Sequence, residues 1–139
     1  MAETVSFKLV TPAKVVFDGQ AALVIAVTTE GEEGVLPKHA PFLAALRPGV
    51  LRANVLLDGQ PSRLELATSD GFMQALPDRV TVLVDEAQSF EEVDVAAARA
   101  RLQAAADRQK GTVIGSEAYV REQSAIDFAN AQLRLTGHR

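Results

Sequence analysis

Val80-Thr81-Val82-Leu83-Val84-Asp85-Glu86, then Val93-Asp94-Val95-Ala96-Ala97-Ala98-Arg99-Ala100-Arg101, carry the change of period that decides the fold. The first run is β-branched and apolar, as suits a short strand. In the second, Val93, Ala97, Ala100 and Ala104 recur at helical spacing, with Arg99, Arg101, Asp107 and Arg108 turned elsewhere. The switch predicts a strand-built domain over 1–86 and a helical one over 87–139.

Upstream of the switch, Val5, Phe7 and Leu9 alternate with Ser6 and Lys8, the period of a strand with one buried face. Val15 to Phe17, Leu23 to Thr28, Val50 to Leu56 and Leu64 to Ala67 are further strand-like runs. Thr11-Pro12, Asp18-Gly19, Pro48-Gly49, Asp58-Gly59 and Pro77-Asp78 punctuate them. Asp58-Gly59 is a hairpin signal, because a type I′ turn needs positive φ at both central residues. Many short strands without helical periodicity predict a sandwich or flattened barrel.

Downstream, Ser89 with Glu92 fits a capping box, and Asp94 fits a cap one turn later. Lys110-Gly111-Thr112 breaks the first helix, with Gly111 suited to a left-handed end. A second helix is expected from Glu117 to Leu135, with Tyr119, Ile126, Ala129 and Leu133 on or near one face and Gly137 ending it. Two such helices make an antiparallel hairpin. Its alanines permit close approach but bury little apolar area, so it needs a surface to dock on.

Composition narrows the function. Of 139 residues, 47% are apolar, ordinary for a globular chain, and the formal charge is −4. Through Glu86 there are seven Lys or Arg against eleven Asp or Glu, and from Ala87 onward seven of each. That balance gives no basic face for nucleic acid. Cysteine is absent, and His39 and His138 are the only histidines. Neither a metal site nor a catalytic constellation is therefore expected, and no cofactor. Ser69 ahead of Gly71 raises a hydrolase reading, but no nucleophile elbow surrounds it. A carbohydrate-binding sandwich would want aromatic platforms, whereas the chain has one Tyr and no Trp. No run approaches the roughly 18 apolar residues of a membrane span, and Met1 to Val10 lacks an export pattern, so neither insertion nor export is expected.

Gly31-Glu32-Glu33-Gly34-Val35-Leu36-Pro37-Lys38-His39-Ala40-Pro41, followed by Leu46-Arg47-Pro48-Gly49, resembles the G-x-x-G-x-x-P-x-H-x-P…L-x-x-G signature of epsilon subunits of bacterial F-type ATP synthases. Ser69-Asp70-Gly71-Phe72 ahead of Val80-Thr81-Val82-Leu83 is similar to the family's S-G-G-F…V-T-V-L segment, with Asp70 in place of the first glycine. Order and spacing agree from Val5 to Leu133. The resemblance implies an α+β chain: a ten-stranded β-sandwich over 1–86 followed by a two-helix hairpin over 87–139. It further implies a non-catalytic central-stalk rotor subunit, bound to the gamma subunit and the c-subunit ring, peripheral on the cytoplasmic face of the bacterial inner membrane.

The resemblance also points to sites. Glu30, Gly31, Glu32, Glu33 and His39 are the candidate c-ring contact. Read physically, three carboxylates around two glycines belong at an exposed loop tip, whether or not a partner meets them. His39, between Pro37 and Pro41, reads first as a turn residue whose ring bonds to backbone, and second as part of that contact. In the family the hairpin can lie compact or extend into the alpha/beta hexamer and block ATP hydrolysis. Arg99, Arg101, Arg108, Arg121 and Arg134 are the candidate regulatory contacts, or else a solvated helix face. Some members bind ATP at the hairpin through an I/L-D-x-x-R-A motif and arginines on the second helix. Here Ala97, Phe128 and Gln132 stand at the arginine positions, which argues against a tight ATP site.

Overall fold

The structure is a computed structural model that describes residues 3–137, so His138 lies outside the described residues. It contains nine strands and two α-helices: β1 (Val5–Val10), β2 (Val15–Thr28), β3 (Gly31–Val35), β4 (Phe42–Leu46), β5 (Gly49–Leu57), β6 (Gln60–Thr68), β7 (Gly71–Leu76), β8 (Arg79–Val84), β9 (Ala87–Gln88), α1 (Val95–Lys110) and α2 (Glu117–Leu135). Strands bond in the order β1-β8-β7-β4-β2-β5-β6-β9, with β3 on β2. β1 pairs back to β2, closing the sheet on itself in two layers.

The class is as expected, but the described residues form nine strands rather than ten. The long β2 serves in both layers. Val15 to Ala21 pair with β1, while Val24 to Thr28 pair with β3, and β5 joins at Ala21 to Ile25. The register slips between Ala21 and Leu23, where the strand passes from one layer to the other.

The core between the layers follows the alternation read at Val5, Phe7 and Leu9, all fully buried, in one cluster with Val80 and Val82 beside them on β8, Met73 on β7 and Leu51 on β5. Asp58 and Gly59 both have positive φ, as the hairpin reading required. Gly71 sits where a side chain has no room, since a Cβ there would lie 2.0 Å from the Leu83 carbonyl oxygen. Ser69 is structural. Its hydroxyl accepts from the Asp85 and Glu86 amides at 3.1 and 2.9 Å, fixing the exit from β8.

Both expected caps exist. The Ser89 amide donates to the Glu92 carboxylate at the start of a short 3-10 turn, and the Asp94 carboxylate then accepts from the Ala97 amide at the start of α1. The α1 stripe differs from the expected one. Ala98 and Ala105 are buried, whereas Ala97 and Ala100 are exposed. Gly111 ends α1 without left-handed geometry; Thr112 instead returns its amide and hydroxyl to the Gln109 carbonyl. The second helix has the expected limits.

The hairpin rests on the outer face of β5 and β6 through α2. Phe128 and Ala131 pack on Ala67, with Val50 and Leu135 at the edge. Around this patch Gln132 donates to the Gln88 side chain, and Arg47 reaches Asp127 at 3.7 Å. The strand pair that carries Gln88 lies just past residue 86, bonding Ala67 and Thr68 of β6.

Candidate partner surfaces

The β2–β3 turn is locked from within. Thr28 Oγ1 donates to the Gly31 carbonyl at 2.7 Å and accepts from the Glu30 amide at 3.1 Å. Gly31 adopts a φ of 117°, open to glycine and strained for other residues. Thr29 and Glu30 form the tip, but Gly31, Glu32 and Glu33 belong to β3, an edge strand that pairs only with β2. Charges on a short edge strand discourage pairing with another chain. Alternation sends Glu32 and Glu33 to opposite faces. The Glu32 carboxylate pairs with Arg52 on β5, whereas Glu30 and Glu33 have no ion-pair partner within 4 Å among the described residues.

His39 does not join this turn. It lies beyond the far end of β3, in a loop tied to the opposite end of the sandwich by the Lys38 amide donating to the Pro77 carbonyl. Its Nδ1 is 2.8 Å from the Ala40 carbonyl oxygen, and its ring meets Phe42 edge-on at 5.7 Å. Nε2 is buried without a hydrogen-bond partner among the described residues.

The five hairpin arginines divide into two groups. Arg108 bonds Glu122 at 2.8 Å and clips α1 to α2; this contact holds the Glu122 carboxyl below the ordinary glutamate range. Arg101 lies 5.6 Å above the Phe128 ring and 3.9 Å from Glu86, so it leans on the sandwich. Arg99, Arg121 and Arg134 are exposed, with no ion pair within 4 Å among the described residues. Of the positions relevant to an ATP site, Phe128 and Gln132 are buried against the sandwich. No three His, Asp or Glu residues among those described come together as a metal site.

A cleft of about 840 Å³ opens between the first turns of α2 and the end of the sandwich, where Thr29, Arg47 and Asp85 lie. Phe72 and Leu83, paired across β7 and β8, form one wall, and Tyr119 and Val120 the other. Nothing in the sequence marked this feature, since its lining comes from segments spread from Val10 to Asp127.

The family model for the ATP synthase Delta/Epsilon chain beta-sandwich domain matches residues 4–90. The chain is 41% identical over 133 residues to an ATP synthase epsilon chain of Magnetococcus marinus, covering 96% of this chain and 94% of that one. It is 36% identical over 136 residues to the epsilon chain of Ruminiclostridium cellulolyticum, covering 98% of each. Among solved structures, a chain of the Euglena gracilis mitochondrial ATP synthase (OSCP/F1/c-ring) matches with a TM-score of 0.75 at 22% identity, covering 97% of this chain and 82% of that one. A chain of the Tetrahymena thermophila central stalk/c-ring structure matches at 0.61 and 18%, covering 96% and 97%. At those identities the likeness is one of fold, and it extends over sandwich and hairpin together. The residue match spans nearly the whole chain in its curated relatives, and on that ground the chain belongs to the ATP synthase epsilon-chain family.

Proposed function

We propose that this chain is a non-catalytic rotor subunit of the central stalk of a bacterial F-type ATP synthase, coupling the c ring to the gamma subunit during proton-driven ATP synthesis. The supporting observation is the agreement with epsilon chains along both the sandwich and the hairpin. Among the described residues no helix is long and apolar enough to cross a membrane. A peripheral place on the cytoplasmic face of the inner membrane, reached through the complex, follows from this reading.

The β2–β3 turn is the proposed c-ring contact, with Glu30 and Glu33 offering carboxylates that have no ion-pair partner among the described residues. Glu32 is partly committed to Arg52. His39, at the other end of β3, falls outside that contact. The hairpin is the proposed inhibitory element when it leaves the sandwich for the alpha/beta hexamer. Arg99, Arg121 and Arg134 are available in the docked state, and Arg101 and Arg108 become so only when their present contacts break.

The decisive experiment compares proton pumping and ATP hydrolysis by the assembled complex with this chain, without it, and with the chain cut after residue 93. Loss of coupling without the chain, and faster hydrolysis with the cut one, are expected. Unchanged coupling in the chain's absence would end the rotor reading.

A further inference from the structure

Three Asp-Gly pairs occur in the chain: Asp18-Gly19, Asp58-Gly59 and Asp70-Gly71. Such a pair is open to attack by backbone on side chain, because glycine has no Cβ to shield its own amide nitrogen from the preceding carboxyl. The fold treats the three pairs differently. Asp18 and Gly19 lie within β2, paired with Lys8 and Phe7 of β1, which is bonded on its other side to β8. Gly71 opens β7 between Leu46 of β4 and Val84 of β8, so close to the latter strand that a Cβ would lie 2.0 Å from the Leu83 carbonyl oxygen.

Asp58-Gly59 has no such support. It closes the β5–β6 hairpin above the Leu57 and Gln60 pair. β2 pairs along β5 only as far as Val55, and β9 pairs with β6 only at Ala67 and Thr68. The two rungs nearest the turn therefore bond to no third strand, and hairpin ends of that kind open at far lower free energy than the interior of a sheet. Both turn residues are exposed, and the Asp58 carboxylate has no hydrogen bond or ion pair among the described residues. Nothing lies within 4 Å of where a side chain on Gly59 would stand. In a two-residue turn the Gly59 amide is also left outside the ladder.

We propose that Asp58 is a site of isoaspartate formation, singled out from the other two pairs by a turn held only by its own hairpin. When the turn frays, the Gly59 nitrogen swings against Asp58 Cγ and forms the N–Cγ bond. The Cγ–OH bond of the protonated carboxyl breaks, and hydroxyl and amide proton leave together as one water, giving a cyclic succinimide. One water then reopens the ring. Entry at Cγ restores aspartate; entry at the Asp58 backbone carbonyl leaves glycine joined through the side chain, with a free α-carboxylate. Composition is unchanged and no oxidant is needed. The product carries one more backbone carbon in a turn whose fit depends on two residues of positive φ, so the Leu57 and Gln60 pair should open.

The test is ageing of the full chain at neutral pH, folded and in urea, followed by trypsin digestion and separation of isomeric peptides. Isoaspartate is identified by transfer of a labelled methyl group from S-adenosylmethionine by an isoaspartyl methyltransferase. In the folded chain, peptide 53–63 is expected to gain the isomer about tenfold or more faster than peptides 15–38 and 64–79, which hold Asp18 and Asp70. In urea the three rates should converge, since the dipeptide is the same. Asp58→Ser should remove the signal from 53–63 and leave the other two peptides as they were. Equal rates at the three pairs in the folded chain, or a faster one at Asp18 or Asp70, would overturn the assignment. So would isoaspartate at position 58 in urea with none in the folded chain, which would show that the turn protects the pair.

Discussion

The sandwich and the hairpin are held by different amounts of the same physics. Between the two layers, Phe7, Leu9, Leu51, Met73, Val80 and Val82 belong to one continuous buried cluster. Beneath the hairpin the buried cluster is Ala67, Phe128 and Ala131. Hydrophobic stabilisation scales with apolar area removed from water, so the first set sustains a domain and the second only a contact. What surrounds the smaller cluster is polar: Gln132 to Gln88, Arg47 to Asp127, Arg101 to Glu86. Bonds of that kind exchange readily with water and contribute little each. The difference teaches that a rigid body and a releasable arm can share one short chain when the largest fully buried side chains all belong to the body.

The largest effect expected from breaking this contrast is in the sandwich. Gly71→Ala would drive a Cβ to 2.0 Å from the Leu83 carbonyl oxygen, against backbone that cannot yield. A loss of about 3 kcal/mol or more is expected, at the upper end for overpacking. Thermal unfolding should shift down by about 12 °C or more for a domain of this size. A shift under 2 °C would mean that β7 and β8 separate more easily than their register implies.

Phe128→Ala sharpens the comparison from the other side. Phe128 is 3% exposed and is the largest side chain of the buried cluster between α2 and the sandwich. Truncation of a buried phenylalanine commonly costs about 3 kcal/mol, enough to release an arm held by so small a cluster. Amide exchange along α2 should accelerate while that of β5 and β7 stays as in wild type. Equal acceleration in both would show that the two regions unfold as one unit.

These regions were unequally legible in the sequence. Period two at Val5, Phe7 and Leu9, and the positive φ demanded by Asp58-Gly59, are local signals, and the structure keeps both. The end of α2 was likewise written in its terminal glycine, Gly137, which has positive φ. The buried stripe of α1 was not, because alanine stands on nearly every side of Val95 to Ala106 and periodicity cannot set the phase. Packing against α2 chose Ala98 and Ala105. The acidic run looked like one loop and is a two-residue tip plus a strand, since β2 offered Glu32 and Glu33 an edge to pair with. That same strand carries His39 away from the tip. The cleft and the role of Phe128 depend on how one domain lies on the other, which no local pattern encodes.

A smaller effect comes from the clip between the helices. The Glu122 carboxyl is held below the ordinary glutamate range, first by its hydrogen bond from Arg108 and then by the charges of Arg108 and Arg121. Its protonated form is therefore more favoured in the unfolded chain than in the folded one. Whatever this pair contributes is present above the unfolded pKa of about 4.3 and is lost as pH falls through the lower folded value. Between pH 8 and 5 hairpin stability should be flat with respect to this group, and Glu122→Gln should remove part of the decline seen below about pH 4.5. An identical acid limb in the variant would show that the pair adds nothing to the hairpin.

The smallest expected effect is that of ATP on the free chain. Ala97 is exposed on the first turn of α1, and its amide is already taken by the Asp94 cap at 3.1 Å. Phe128 and Gln132 are buried under α2, where they anchor the hairpin rather than face a ligand. A charge-assisted contact from arginine to phosphate is worth about 1.5–3 kcal/mol, so a site lacking two or three of them loses several orders of magnitude in affinity if the losses add. Titration calorimetry of the wild-type chain with ATP should show no heat above dilution, and its melting temperature should not move. Ala97→Arg alone should change neither. Phe128→Arg and Gln132→Arg place guanidinium groups in the docking contact, so each should free the hairpin before it recruits any nucleotide. Micromolar ATP binding by the wild-type chain would show that the hairpin has a phosphate site independent of these three positions, and that its docking is governed by ligand rather than by the side chains beneath α2.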